Sequence, residues 1–225
     1  MFPRHHKSLP YLSILKVLNV LKNTEMLNTH KKRKTCRFTI RNEEDEEDED
    51  ASADKDLLNT VDNKIFFYCN VTKKTILKLV ESLKKATDFA LKNEKDEVCL
   101  YIHSSGGDAF AGLSGLMHIE QNKVDVVCIV DGFVASAATF LLLGAKKRLG
   151  TKYSNILIHQ ITTGFWGKYS DMVDEMQNSN NLMTCIKHLY KEKTNIGENL
   201  DSIITKEINI TAENALRWGL LTSLI

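Results

Sequence analysis

Three short segments carry the side chains and backbone that could do chemistry. The first is Ser104-Ser105-Gly106-Gly107-Asp108. Two adjacent glycines permit an unusual φ and let the backbone approach a ligand closely. N–H groups there could receive an oxyanion at a helix start, though the same residues would also make a plain tight turn. No Gly-Lys-Ser/Thr comes after them, so this is not a Walker A loop. The second segment is Gly132-Phe133-Val134-Ala135-Ser136-Ala137-Ala138. Its lone hydroxyl opens an apolar stretch, and Ser136 is either an N-cap or a nucleophile at a helix N-terminus. The Gly-x-Ser-x-Gly elbow is absent, which disfavours an α/β-hydrolase. The third segment is Ile156-Leu157-Ile158-His159-Gln160. An imidazole directly after a buried apolar run is either a satisfied core histidine or a base. A nucleophilic serine needs a base, and the base needs an orienting carboxylate. The chain holds all three types, and composition does not say whether they meet.

The elements that would position these segments alternate between strand and helix periods. Residues 64–68 read as a strand. Over 72–93, Ile76, Leu79, Val80, Leu83, Ala86 and Ala90 share one face at helical spacing. Residues 98–102 form a continuous apolar run, as in a strand buried on both faces. A helix is expected over 108–122, a strand over 124–130, and a short helix, apolar all round, over 136–145. The next strand is expected at 156–158. A long helix is expected over 171–193, with Met172, Met176, Met183, Ile186 and Tyr190 in one stripe. A last helix at 211–219 would be terminated by Gly219. Alternating strands and helices predict an α/β fold with a largely parallel sheet. All three chemical segments then lie just past strand ends, where open α/β sheets place ligands.

The rest of the sequence sets limits. The 225 residues suffice for one large domain or two small ones. No run of 18 uncharged apolar residues occurs, so no membrane-spanning helix is expected. Formal net charge is +1, with a strong local asymmetry. Residues 1–42 carry ten Lys/Arg against one Glu, and 43–50 are eight consecutive acids. The remainder is neutral, which argues against nucleic acid as its main partner. Both prolines lie at positions 3 and 10, and all eleven glycines lie between Gly106 and Gly219. Residues 1–55 are therefore expected to be a disordered extension and 56–225 the folded body. Within the extension, Lys31-Lys32-Arg33-Lys34 reads as a nuclear signal, a nucleic-acid contact or a solvated run that pairs with the acids downstream. Five cysteines, an odd number without any Cys-x-x-Cys, suit a reducing compartment rather than a disulfide framework or zinc site. The basic N-terminus fits a secretory signal poorly, because Lys16 interrupts its apolar region. A cytoplasmic location is the default, with an organelle left open.

Over roughly residues 60–225 the chain resembles the proteolytic subunit of the ATP-dependent Clp protease. Four matches in the family's order carry the likeness: the Ser-Gly-Gly turn with Ala111-Gly112 after it, the serine segment 132–142, Ile156-Leu157-Ile158-His159-Gln160, and the ending at 210–220. The resemblance implies a crotonase-like fold of repeated β-β-α units with a projecting long helix. It implies Ser136 as nucleophile and His159 as general base. The family's third member is an Asp four residues before a Ser/Thr-Ala pair, and counting back from Thr211-Ala212 gives Glu207, with Asp201 as a fallback. The implied oxyanion donors are the backbone N–H of Gly107 or Asp108, and that of Ala137. The family's prolines before Gly-Gly and after His-Gln are replaced by Ser105 and Ile161.

The same resemblance implies a serine endopeptidase that cleaves unfolded polypeptides. It further implies assembly as stacked homo-oligomeric rings and a separate ATP-driven unfoldase chaperone that supplies substrate. No metal or organic cofactor is implied, and neither nucleic acid nor a membrane is expected as a partner. Residues 162–168 match a glycine-containing strand beside the active site, where substrate adds by β-pairing. Phe165 and Trp166 are either core residues or face substrate or a neighbouring ring. The long helix matches the one that projects between rings, making its methionines an interface. Two other readings compete. One is a catalytically weak or silent ring subunit, suggested by Glu207 and the missing prolines. The other is an acyl-CoA enzyme of the crotonase superfamily, against which the serine–histidine pairing speaks.

Overall fold

A computed structural model describes residues 57–225. The basic leader, the Lys31–Lys34 run, the acid block and Cys36 lie outside the described residues. The described chain opens with a hairpin, β1 (Leu58–Val61) and β2 (Lys64–Phe67), turning at Asp62 in the left-handed region. Helix α1 (Lys73–Lys92) comes next, capped by Thr72, whose hydroxyl accepts from the Thr75 N–H. Then come β3 (Glu97–Ser104), α2 (Ala109–Glu120), β4 (Asp125–Ala135) and α3 (Ala138–Gly144). The last part holds β5 (Lys147–Gly150), β6 (Asn155–Leu157), α4 (Tyr169–Lys193), α5 (Asn199–Lys206), β7 (Ile210–Thr211), α6 (Ala212–Arg217) and β8 (Ser223–Leu224).

The sheet runs β1-β2-β3-β4-β5-β8, parallel from β2 onward. Strand β4 serves two neighbours. Val127–Val130 pair with β5, and Phe133–Ala135 pair with β6. Between these halves the register against β3 jumps: Ile102 faces Val130 and Ser104 faces Val134, four steps on β4 for two on β3. Asp131 and Gly132 absorb the excess, with Gly132 at φ +88°. A bulge of this kind bends a strand and re-aims the residues beyond it. Here it aims the end of β4, and so Ser136, at the end of β6. The α/β expectation therefore holds, and the fold is the crotonase-like arrangement implied by the resemblance.

Every residue of α3 is buried, as its all-round apolar pattern requires. On α1 the expected face is buried except Val80, which is half-buried, while Ser82 and Thr87 are buried in its place. Thr87 is tolerated inside because Asn122 hydrogen-bonds it. Helix α4 is about 37 Å long for its 25 residues. Its methionine stripe divides. Ile186, Leu189 and Tyr190 are core, whereas Met172, Val173 and Met176 are exposed. Among the described residues no helix is long and apolar enough to cross a membrane.

Arg148 closes the far side of the core. It is 9% exposed, and no carboxylate among the described residues pairs with it. Its guanidinium instead donates to four carbonyls: Ala145, Lys193, Gly219 and Leu220. Those oxygens end α3, α4 and α6, where unpaired carbonyls and the negative dipole end collect. A planar fork of five N–H donors suits that task, and a lysine point charge does not. Arg148→Met is expected to strand these buried acceptors and cost about 3 kcal/mol. A urea-unfolding midpoint within error of wild type would contradict this.

Candidate active site

Ser136 comes directly after β4, and its N–H donates to Leu157 O of β6 at 2.9 Å. Its backbone sits at φ +53°, left-handed for a residue with a Cβ. Such a conformation costs on the order of 1–3 kcal/mol and persists only where its surroundings impose it. The N-cap reading does not hold: α3 starts at Ala138 without a side-chain cap, and the Ser136 hydroxyl has no bond within the described residues. The residue as a whole is half-buried.

The Gly106-Gly107 turn packs beside it. Val71 N–H donates to Gly106 O at 2.7 Å, and Asp108 N–H donates to Val71 O at 2.8 Å. The Asp108 amide is therefore spent, which removes it as an oxyanion donor. Its carboxylate caps α2 through the Phe110 and Ala111 N–H groups. The Gly107 and Ala137 N–H groups have no acceptor among the described residues. Gly106 is at φ +100°, and a Cβ there would stand 2.6 Å from Ser136 Cβ and 3.0 Å from Ala137 N. The absence of a side chain is what allows this turn to lie against the serine.

His159 stands two residues beyond β6, so pairing of Ala135 with Leu157 brings Ser136 and His159 to neighbouring strand ends. His159 Nδ1 lies 2.5 Å from Gln160 O. A carbonyl only accepts, so Nδ1 carries a proton, and in a neutral ring Nε2 is then the unprotonated nitrogen. That is the tautomer a general base needs.

Glu207 is exposed, at φ +50°, as the C-cap of α5, and its carboxylate has no hydrogen bond or ion pair among the described residues. Ile156 faces Ile210 and Asn155 faces Thr211 in the antiparallel β6–β7 pair. The same register carried onward would set Glu207 opposite His159, but pairing ends at Ile210 and the left-handed turn lies between. The structure thus packs Gly106 against Ser136, sets Ser136 and His159 past neighbouring strand ends, and leaves the Glu207 carboxylate unengaged among the described residues. Asp201, the fallback, is held elsewhere by Lys187 at 2.7 Å; that hydrogen bond and charge keep its carboxyl below the usual range. Residues 162–168 form no strand within the chain, because no neighbouring strand offers them amides. Trp166 is 99% exposed and Phe165 half-buried, so neither is core. Among the described residues no three His, Cys, Asp or Glu side chains gather as a metal site. Sequence reasoning passed over Val71, whose only signal was its place ahead of α1, and Thr139, hidden in an apolar run.

Comparison with known proteins bears on the family. The model of the family described as Clp protease matches residues 47–225. A protein named ATP-dependent Clp protease proteolytic subunit from Mesostigma viride is 33% identical over 143 residues, covering 60% of this chain and 61% of that one. Proteins of the same name from Chlorokybus atmophyticus and Pleurastrum terricola are 32% identical over 145 residues and 30% over 135. For the first of these the match covers 60% of this chain and 62% of its own length; for the second, 58% and 68%. The matched part thus spans about three fifths of the Mesostigma and Chlorokybus proteins. With the family model covering the whole described body and all four sequence segments, the chain belongs to the Clp protease family.

Proposed function

We propose that this chain is a serine endopeptidase, the proteolytic subunit of an ATP-dependent Clp-type protease, with residues 56–225 as its catalytic domain. The observation that carries the reading is Ser136, held left-handed against Gly106 at the end of β4, with His159, whose Nδ1 donates to Gln160 O, just past the end of the neighbouring β6. His159 Nε2 takes the hydroxyl proton as Ser136 Oγ attacks the peptide carbonyl. The Gly107 and Ala137 N–H groups receive the oxyanion. Collapse breaks the C–N bond, His159 gives its proton to the leaving amine, and water then deacylates the ester by the same route. The names of the relatives support a partner ATPase, and the exposed half of α4 supports ring-on-ring assembly. The thiols support a reducing compartment, the cytoplasm or an organelle.

Purified full-length protein is expected to turn over short fluorogenic peptides unaided, and to degrade unfolded protein when an ATP-driven unfoldase is added. A folded, assembled protein with no peptidase activity would overturn this and favour a silent ring subunit. Glu207 is assigned as the carboxylate that takes the His159 Nδ1–H during turnover, since catalytic hydrogen bonds often tighten only in the substrate complex. The Gln160 carbonyl already holds the tautomer. Glu207→Gln should therefore cost about 10- to 100-fold in kcat, less than the ~10⁴ seen where a carboxylate is the sole orienter. Glu207→Asp should stay within about tenfold of wild type. Unchanged kcat in Glu207→Gln removes Glu207 from the triad and leaves Gln160 O as orienter.

A further inference from the structure

The φ of Ser136 needs something to impose it, and the structure supplies a grip on each side. The N–H is held by Leu157 O. The carbonyl is held twice by Thr139, through its N–H at 3.0 Å and its Oγ1 at 2.5 Å. Thr139 Oγ1 also lies 2.5 Å from Tyr190 Oη, which belongs to α4, fifty-one residues away. Thr139 is 0% exposed and Tyr190 1%. The tyrosine ring packs against Phe140 at 6.1 Å between centroids.

The proton directions in this chain of hydroxyls are fixed. Ser136 O can only accept, so Thr139 Oγ1 donates to it. Thr139 Oγ1 must then accept from Tyr190 Oη, whose hydroxyl has no other partner among the described residues. Burial pushes the Tyr190 hydroxyl up, so it stays a donor. A threonine hydroxyl on the carbonyl three residues back is a common local bond. Here a second, fully buried hydroxyl from a distant helix is spent on it.

One peptide plane links this pair to the chemistry. Ser136 C=O and Ala137 N–H belong to the same trans peptide, so they point opposite ways. Holding the oxygen inward on Thr139 turns the Ala137 N–H outward, to the side where Gly106 approaches within contact. We propose that Thr139 and Tyr190 are positioning residues, a buried hydroxyl pair that fixes the Ser136–Ala137 peptide and so aims the oxyanion-binding N–H. This rests on the protease reading above and adds to it two residues that do not touch substrate and come from separate helices.

The test uses full-length protein with Thr139→Val, Thr139→Ser and Tyr190→Phe, each checked for assembly and unfolding temperature. Thr139→Val keeps the shape and loses the hydroxyl. It should lower kcat for a fluorogenic peptide about 10- to 100-fold with KM within about twofold, and weaken a peptide boronate inhibitor in parallel. Thr139→Ser should restore kcat to within about threefold of wild type, since it returns the hydroxyl. Tyr190→Phe should cost about 3- to 10-fold and add nothing to Thr139→Val, because the two act as one chain. Three results would each overturn the proposal: wild-type kcat in an assembled Thr139→Val; a change confined to KM; or a loss that Thr139→Ser does not restore. A wild type that neither turns over peptide nor reacts with a serine-directed phosphonate defeats the protease reading first, and this inference with it.

Discussion

Ser136→Ala is expected to abolish peptide hydrolysis while leaving the fold and assembly intact. The hydroxyl makes no bond to any described residue, so its removal strands no partner. The substitution keeps the Cβ that Gly106 packs against and removes one oxygen from a half-buried residue. Alanine tolerates φ +53° no better and no worse than serine to within a few tenths of a kcal/mol. Stability should therefore change little. Activity should fall by about 10⁴- to 10⁶-fold, because the proposed acyl intermediate forms on the Ser136 hydroxyl. His159→Ala alone should fall in the same range, and the double variant no further, since a nucleophile without its base is already lost. Full turnover in a purified Ser136→Ala protein would sink the serine mechanism.

Gly106→Ala should be nearly as damaging, for a reason that lies in the backbone. At φ +100° an L side chain is strained whatever the space, by about 1–3 kcal/mol. There is also no space. The new Cβ would meet Ser136 Cβ at 2.6 Å, Ala135 O at 2.7 Å and Ala137 N at 3.0 Å. None of these is the tip of a flexible chain, so either the Gly106-Gly107 turn or the end of β4 must move. Either movement separates the two amides proposed to bind the oxyanion from the serine. Displacement near 1 Å costs about 10²-fold and a lost oxyanion donor about as much again, so about 10³-fold in kcat is expected. The measurement is kcat on a fluorogenic peptide beside the urea midpoint. Wild-type values for both would mean that the turn does not lie against the serine as described.

The parts of this architecture that were legible in the sequence are those where burial sets the pattern. The apolar runs around Leu100 and Ile129, the amphipathic face of α1 and the fully apolar α3 each read correctly, because a two-sided core leaves no choice of residue type. Helix α5 and the short strands β1, β5, β7 and β8 went unread, since strands of two to four residues carry too little period to register. At the site, the glycines and the serine were legible as types, while their roles were geometric. Nothing in Asp108 announces that Val71 takes its N–H, and nothing in Thr139 announces a tyrosine fifty-one residues on. Residues 162–168 read as a strand because the resemblance supplied one, but a strand needs a partner, and the chain by itself offers none. Glu207 ends α5 with a left-handed φ that no count reveals.

The central claim is an activated serine, and one measurement bears on it most directly. The wild-type protein and Ser136→Ala would be treated with a fluorophosphonate and weighed intact. An ordinary serine hydroxyl is inert to this reagent; one with a base and oxyanion donors beside it is not. The expected result is one adduct per wild-type chain and none on the variant. An assembled wild type that takes up no reagent, or a Ser136→Ala protein that takes up as much as wild type, would contradict it.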